Sequence, residues 1–240
     1  MIDPGIPNIA QSDDSMAVAA LRVDIIADLI CPWCYLGKRR LDDALLAVRG
    51  PSVVNWIPFQ LNPDMPADGM AFDDYLLSKF GHRDTIQPGL DYLTEAGRAE
   101  GIHFRFDRIK RVPRTLEAHQ LMLLANQEGA DTSALAERIL QGFFEQGLDI
   151  SARQVLLMMG EQHGLSADAI NKALDDILLR QRVLELEAQV RRGGVTGVPD
   201  FLINRRLFIM GAQKTEVLVD VFDRAMFGEA SDQPVSPTIN

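Results

Sequence analysis

The chain of 240 residues is poor in the residue types that build metal centres and disulfide frameworks, with only two cysteines and four histidines. Cys31 and Cys34 are so close in sequence that a disulfide between them would restrict the unfolded chain very little. The histidines lack the regular spacing of zinc ligands. Their positions are His82, His103, His119 and His163. The composition therefore argues against a structural zinc site and against a stabilising disulfide.

The sequence is also short of positive charge and of long apolar segments. It has 24 basic and 34 acidic residues and a net charge of -10, which argues against non-specific binding to nucleic acid or anionic lipid. No apolar window is long enough to span a bilayer. The stretch from Met1 to Ala20 has neither the basic start nor the apolar centre of a signal peptide, so we expect a cytoplasmic protein.

Both cysteines belong to one motif, Cys31-Pro32-Trp33-Cys34. An apolar, strand-like segment precedes the motif, and a helical pattern of apolar residues follows it. A Cys-x-x-Cys motif at the junction of a strand and a helix points to redox chemistry.

Thiol chemistry predicts different roles for the two cysteines. The thiolate is the nucleophile, and the unpaired N–H groups and positive dipole end of a helix favour negative charge on Cys31. Pro32 suits the first helical turn, because its ring fixes φ and its missing N–H would have no partner there. Cys34 can attack a mixed disulfide at Cys31 and release the partner. We therefore predict Cys31 as the nucleophile and Cys34 as the resolving thiol.

The order of elements predicts an α/β fold interrupted by helices. Strand-like patterns cover residues 21–26 and 53–59, on either side of the helix that starts at the cysteine motif. Apolar residues recur at helical spacing from about residue 72 to 192, and two strand-like segments and an amphipathic helix follow. We predict one sheet built from both ends of the chain. The predicted boundaries are 20–70 and 193–228 for the α/β domain, 71–192 for a helical insertion domain, and 1–19 and 229–240 for polar, disordered tails.

A second short motif, Gly197-Val198-Pro199, precedes the third strand-like segment. Proline is tolerated at the first residue of a strand because its missing N–H then removes no ladder hydrogen bond. Few X-Pro bonds in folded proteins are cis, so the residues alone favour an ordinary turn.

Together these features resemble the thioredoxin-like fold of the DsbA family, with CPWC opening a helix and GVPDFLIN preceding a hairpin and a helix. More narrowly, CPWCYLGKRRL, RVPRTLEAHQL and GVTGVPDFLINRRLFIMGAQ look like the FrnE-type DsbA-like oxidoreductases. The similarity extends from about Leu21 to Phe227. It implies an α/β, thioredoxin-like fold with a large all-helical insertion, and thiol-disulfide oxidoreductase or isomerase activity.

The resemblance also implies roles for particular residues. It implies a cis peptide bond before Pro199, which places this proline beside Cys31, and a Val198 backbone that pairs with a bound peptide or with glutathione. Similar relatives include kappa-class glutathione transferases and 2-hydroxychromene-2-carboxylate isomerases. Those isomerases typically have serine in place of Cys31, so the intact dithiol favours an oxidoreductase. Relatives usually have an Asn-Thr pair where this chain has Arg114-Thr115, a departure that weakens the expectation of a glutathione contact there.

Three further residues have both a functional and a structural interpretation. Asp28 could exchange a proton with Cys34, or it could simply end the strand in water or in hydrogen bonds. Trp33 could contact a substrate or shield the sulfurs, or it could be an ordinary surface aromatic. His119 lies on an apolar helical pattern, where a hydrogen-bonded core histidine is favoured over a catalytic one.

A basic run within this acidic protein could bind the carboxylates of glutathione. Pairing with nearby acidic residues on a solvated face is the favoured interpretation. The run consists of Arg105, Arg108, Lys110, Arg111 and Arg114.

The resulting hypothesis is a cytoplasmic thiol-disulfide oxidoreductase. Its expected catalytic residues are Cys31, Cys34, Pro199 and Asp28, and its expected substrate-binding residues are Pro32, Trp33 and Val198. We expect no required metal or organic cofactor, glutathione as a candidate co-substrate, protein or small-molecule thiols and disulfides as partners, and a monomer or homodimer. The alternatives are a glutathione-dependent isomerase or transferase acting on a small aromatic substrate, and a non-catalytic binding module that uses the insertion.

Overall fold

The computed structural model describes residues 20–48 and 50–228. The two predicted tails, 1–19 and 229–240, lie outside the described residues. The elements in chain order are β1 (Leu21–Ala27), α1 (Pro32–Ala47), β2 (Ser52–Pro58), β3 (Met70–Ala71), α2 (Phe72–Phe80), α3 (Arg83–Ala99), a 3-10 turn (Phe106–Arg108), β4 (Arg111–Val112), α4 (Leu116–Gln127), α5 (Thr132–Phe144), α6 (Arg153–Gln162), α7 (Ala167–Asp175), α8 (Ile177–Arg192), β5 (Asp200–Ile203), β6 (Leu207–Met210) and α9 (Thr215–Phe227).

Four strands from the two ends of the chain form one mixed sheet in the order β2-β1-β5-β6. β1 runs parallel to β2, to which α1 connects it, and antiparallel to β5, where Ile25 lies opposite Phe201. β6 pairs antiparallel with β5 and completes the hairpin. The prediction of a single sheet built from both ends is confirmed. Because β5 lies beside β1, the residues before β5 come close to the residues that follow β1.

Side chains are buried on both faces of this sheet. On one face Ile25 packs with Leu41 of α1 and Phe222 of α9. On the other face Ile26 packs with Val190 of α8. The consecutive buried residues of β1 show that this strand is covered on both sides.

The helical insertion is arranged around α4, which packs against α5, α6, α7 and α8. Its core continues into the α/β part, because Leu29, Ile30 and Leu36 belong to the same cluster of buried residues as Leu121 of α4. The insertion therefore lies against the end of β1 and the start of α1, next to the cysteine motif.

The insertion is not helical at every point. β3 and β4 form a short antiparallel ribbon in which Met70 lies opposite Val112. The Arg111 side chain donates a hydrogen bond to the Asp68 carbonyl (2.8 Å) and closes the ribbon from one side. Two-residue strands are too short to leave a period-two pattern of apolar residues, so the sequence does not predict them.

Gly37 allows α1 to pack closely on the start of β5. A Cβ atom at this position would lie 2.9 Å from Pro199 Cγ and 3.2 Å from Phe201 Cζ. The proline ring cannot rotate out of the way, so a larger residue would have to move the helix. The contact holds the helix that begins at the cysteine motif against Pro199.

We expect Gly37→Ala to lower the free energy of unfolding by about 1–3 kcal/mol, because the added methyl group overpacks this contact. The matched control is Gly89→Ala in α3, where a Cβ atom would meet nothing within 4 Å. That change should be neutral or stabilise by up to about 1 kcal/mol, since alanine favours helix over glycine. Urea unfolding of both variants measures the difference, and equal stabilities would contradict the close packing at Gly37.

Candidate active site

The cysteine motif begins α1, as the sequence predicts. Cys31 is the N-cap residue with an extended backbone (φ -94°, ψ 116°), and Pro32 is the first residue of the helix. The Cys31 carbonyl accepts hydrogen bonds from the N–H groups of Cys34 (3.0 Å) and Tyr35 (3.2 Å). The first turn contains no acidic residue. The Cys31 sulfur lies at the start of the helix and accepts no capping hydrogen bond from the N–H groups of this turn.

The two cysteines are both free thiols, but their environments differ. Cys34 is completely buried, whereas 3% of Cys31 is exposed. Burial raises the pKa of the Cys34 thiol well above its usual value, and the neighbouring Cys31 and the Asp28 carboxylate raise this pKa further. A hydrogen bond with the Asp28 backbone acts in the opposite direction. Cys31 is thus the less deeply buried of the two cysteines, and burial favours the protonated thiol form of Cys34.

The Val198-Pro199 segment faces the nucleophile. The peptide bond between these residues is cis, which confirms what the family resemblance implied. The Cys31 thiol donates a hydrogen bond to the Val198 carbonyl at 3.6 Å. Pro199 is buried and Val198 is partly exposed. The structure therefore brings together Cys31, Cys34, Val198 and Pro199 at one end of the sheet.

Asp28 is completely buried, and its backbone carbonyl accepts a hydrogen bond from the Cys31 N–H (3.3 Å). Its Oδ1 accepts a hydrogen bond from the Leu29 N–H (2.8 Å), and its Oδ2 accepts one from the Leu61 N–H (2.7 Å). His119 Nε2 lies 3.2 Å from Oδ1. Of the two structural alternatives for Asp28, a solvated or a hydrogen-bonded strand end, the structure shows the hydrogen-bonded one. Two backbone N–H groups and the His119 ring contact its carboxyl group, and the negative charge of Asp28 contributes to the raised pKa of Cys34.

His119 enters the site from α4 of the insertion. Its side chain is 4% exposed, and its ring contacts Asp28, which lies 91 residues earlier in the chain. The sequence analysis expected a hydrogen-bonded core histidine, but it could not name the partner. The sequence does contain a signal for such a partner. His119 is a polar side chain on an otherwise apolar helical face, and a polar side chain that is buried requires a hydrogen-bond partner.

Asp200 is a buried carboxyl group that the sequence analysis missed. It follows Pro199 directly and accepts a hydrogen bond from the Gly211 N–H at 3.2 Å. Burial raises the pKa of Asp200 from 3.8 to about 7, while the hydrogen bond from Gly211 acts in the opposite direction. The signal in the sequence is a single acidic residue that begins the apolar strand segment DFLI.

Membrane-spanning helices and metal-binding clusters can be assessed for residues 20–48 and 50–228. No helix in this part of the chain is long and apolar enough to cross a bilayer. The same residues contain no group of three or more histidine, cysteine, aspartate or glutamate side chains placed to hold a metal ion.

A model of the DSBA-like thioredoxin domain family matches residues 22–223. The chain belongs to this family. The solved structure of a probable DsbA oxidoreductase from Streptomyces coelicolor is similar to this DsbA-like protein, with a TM-score of 0.79 and 30% sequence identity. The similarity covers 90% of this chain and 94% of that one.

Two other solved structures share the fold at lower identity. The cytosolic disulfide reductase DsbM from Pseudomonas aeruginosa, solved with GSH, has a TM-score of 0.59 and 21% identity, covering 86% of this chain and 96% of that one. A 2-hydroxychromene-2-carboxylate isomerase has a TM-score of 0.61 and 14% identity, covering 85% of this chain and 95% of that one. The thioredoxin-like fold of this DsbA-like protein is therefore shared by oxidoreductases and by an isomerase.

Trp33 lies at the surface of the DsbA-like site. Its side chain is 40% exposed, and its ring centroid lies 5.8 Å from that of Tyr92 in α3. Pro32, the other residue between the cysteines, is partly exposed. Both residues follow Cys31 directly in the chain and are partly exposed to solvent.

The basic run is largely engaged with acidic side chains and carbonyl groups. Arg105 forms an ion pair with Asp107, and Arg114 forms one with Glu117. Arg111 donates to the Asp68 carbonyl. Pairing with nearby groups, the interpretation favoured from the sequence, is thus observed for these arginines.

Proposed function

We propose that this DsbA-like protein is a thiol-disulfide oxidoreductase that exchanges disulfides through Cys31 and Cys34. The observation that carries the proposal is the pair of free thiols at the start of α1, of which Cys31 is 3% exposed and Cys34 is completely buried, facing the cis Val198-Pro199 bond. A structural dithiol has no need of this asymmetry, whereas stepwise exchange uses one accessible nucleophile and one protected resolving thiol.

In the proposed reaction two electrons pass from the dithiol to a substrate disulfide. The Cys31 thiolate attacks one substrate sulfur, the substrate S–S bond breaks, and the first substrate thiolate leaves and takes up a proton. Cys34 then loses its proton and attacks Cys31, which breaks the mixed disulfide and releases the second substrate thiolate. The Cys31–Cys34 disulfide remains. Run in reverse, the same steps oxidise a substrate dithiol.

We assign the Asp28 carboxylate as the acceptor of the Cys34 proton in the second step. The Cys34 thiol is a poor nucleophile while it is protonated, and burial raises its pKa. A buried base close to the thiol removes this obstacle. Asp28 supplies a carboxylate whose negative charge acts on Cys34 and which three hydrogen-bond donors orient.

Substrate contacts are proposed for the residues around Cys31. The Val198 backbone, Pro32 and Trp33 flank the nucleophile and would pair with or cover a bound thiol compound. Protein or small-molecule thiols and disulfides are the proposed partners, with glutathione as a candidate co-substrate, and DsbM was solved with GSH. We propose a cytoplasmic monomer or homodimer of the narrower FrnE type, with no required metal or organic cofactor.

Equilibration in glutathione redox buffers tests the proposed function. Tryptophan fluorescence follows the dithiol through Trp33, and Trp56→Phe removes the signal of the second tryptophan. We expect reversible interconversion with a reduction potential between about -270 and about -120 mV, the range from thioredoxin to DsbA. Failure to cycle, or accumulation of only a stable glutathione adduct at Cys31, would contradict the oxidoreductase and favour a glutathione-dependent isomerase or transferase.

A further inference from the structure

The Asp28 carboxylate receives its hydrogen bonds from three separate parts of the chain. The Leu29 N–H follows it directly, and the Leu61 N–H comes from the loop after β2. The third partner, His119, belongs to α4 of the insertion. The base proposed for Cys34 is thus held jointly by the loops that follow β1 and β2 and by the insertion.

The chemistry of this contact determines which of the two side chains donates the hydrogen bond. An ionised carboxylate can only accept hydrogen bonds, so His119 Nε2 must carry the hydrogen directed at Asp28 Oδ1. The contact is shielded from solvent, because the His119 side chain is 4% exposed and the Asp28 side chain is 0% exposed. Hydrogen bonds compensate for the free-energy cost of burying a charged carboxylate. A carboxylate that lost one of its three donors would therefore be less well stabilised.

Other charged side chains on the surrounding helices have partners of their own. They are Glu117 of α4 with Arg114 and Arg180, Glu187 of α8 with Arg191, and Lys38 of α1 with Asp42 and Glu137. On the sheet, Asp24 pairs with Arg22, and Asp200 accepts from Gly211. The side chains that act on the Cys34 thiol are Cys31 and Asp28. Any influence of His119 on Cys34 therefore passes through Asp28.

We propose that His119 is a positioning residue for the second step of exchange, whose ring N–H donates to the Asp28 carboxylate and fixes it beside Cys34. This inference rests on the proposed oxidoreductase function. It gives the insertion a direct part in the chemistry of the dithiol, because α4 supplies His119, one of the three donors to the Asp28 carboxylate. His119 acts through Asp28 and does not touch the substrate.

A two-phase thiol assay separates the step that depends on His119 from the step that does not. The reduced protein is mixed with dithiobis(nitrobenzoate), an aromatic disulfide that releases a coloured thiolate. In the first phase Cys31 forms a mixed disulfide and releases one thionitrobenzoate ion. In the second phase Cys34 loses its proton, attacks Cys31 and releases the second ion. The rate of each phase is measured from about pH 4 to about pH 9, a range that contains the titration of a buried carboxyl group.

We expect His119→Phe to slow the second phase and to leave the first unchanged. Without the ring N–H the Asp28 carboxylate loses one of its three donors, so the rise of the second-phase rate with pH should shift upward by about one unit. At pH values below that rise, the second phase of His119→Phe should be about tenfold slower than that of the unmodified protein, as a shift of one pH unit requires. His119→Gln, which can present a side-chain N–H, should restore most of the original profile.

Three controls separate this role from simple packing. His103→Gln, on an exposed loop histidine, should leave both phases unchanged. Adding His119→Phe to Asp28→Asn should produce little further change in the second phase, since the two residues act as a unit. Urea unfolding reports any loss of stability separately, because a packing defect lowers the unfolding free energy without moving the pH profile of one phase.

The outcomes distinguish the inference from the function on which it rests. If the unmodified protein released only one thionitrobenzoate ion, the proposed exchange through Cys34 would itself fail. If it released two, and His119→Phe left the second-phase profile in place or slowed both phases equally, the positioning role would be overturned. The same conclusion follows if His119→Gln behaves like His119→Phe, because the role assigned to the ring is that of a hydrogen-bond donor.

Discussion

Replacing Cys34 by alanine should trap the protein as a mixed disulfide on Cys31. The nucleophile stays intact in this variant, so the first exchange step still occurs, but no second thiol can break the bond between Cys31 and its substrate. Turnover in disulfide exchange should fall by at least about 100-fold. Intact-mass measurement after incubation with oxidised glutathione should show one glutathione per chain, and a reducing agent should remove it. Alanine suits this buried site because it introduces no unpartnered polar group.

The matched variant is Cys31→Ala, which should form no adduct and should also lose turnover. Cys34 is completely buried, so it cannot replace Cys31 as the attacking sulfur. Retained turnover in Cys34→Ala would favour a glutathione-dependent isomerase or transferase, in which the resolving thiol has no role. A protein with no covalent adduct in either variant, and with binding unaffected by both, would be a binding module.

Asp200→Asn should remove a loss of stability that the unmodified protein suffers as the pH rises. Asp200 has a pKa of 3.8 as an ordinary residue and about 7 in the fold. The folded state therefore retains a proton that the unfolded state has lost, and the unfolding free energy falls as the pH rises from about 4 to about 7. This pKa shift corresponds to a decrease of up to about 4 kcal/mol in the unfolding free energy once the pH is above about 7. The amide in Asp200→Asn does not ionise, so its stability should not have this slope.

Urea unfolding at several pH values between about 4 and 8 measures this effect. The slope is the informative quantity, because the amide adds a constant cost or benefit that does not vary with pH. Asp223→Asn on the exposed side of α9 is the matched control and should keep the slope of the unmodified protein. Identical slopes in Asp200→Asn and the unmodified protein would show that Asp200 is ionised in the fold at an ordinary pH.

The local features of the site were predictable because they depend on neighbours in the chain. A strand ending before Cys31 and a proline at the first helical position place the cysteine at a helix start, whatever the rest of the fold does. The roles proposed for Cys31 and Cys34 follow from that placement. The single sheet was predictable from two sets of strand patterns at the ends of the chain. The cis bond before Pro199 followed only from the family resemblance, since a proline alone favours the trans form.

The sequence by itself determined where the dithiol lies, which strands form the main sheet, and that both ends of the chain meet in that sheet, but not the two short strands β3 and β4. Only the tertiary structure decided how deeply each group is buried and which distant groups become partners. Asp28 could have faced water, but the insertion covers it and brings His119 to 3.2 Å from its carboxylate. Asp200 could have been an ordinary acid, but burial beside Pro199 moves its titration to about pH 7. Desolvation depends on everything that surrounds a group in space, and no local pattern of residues records it.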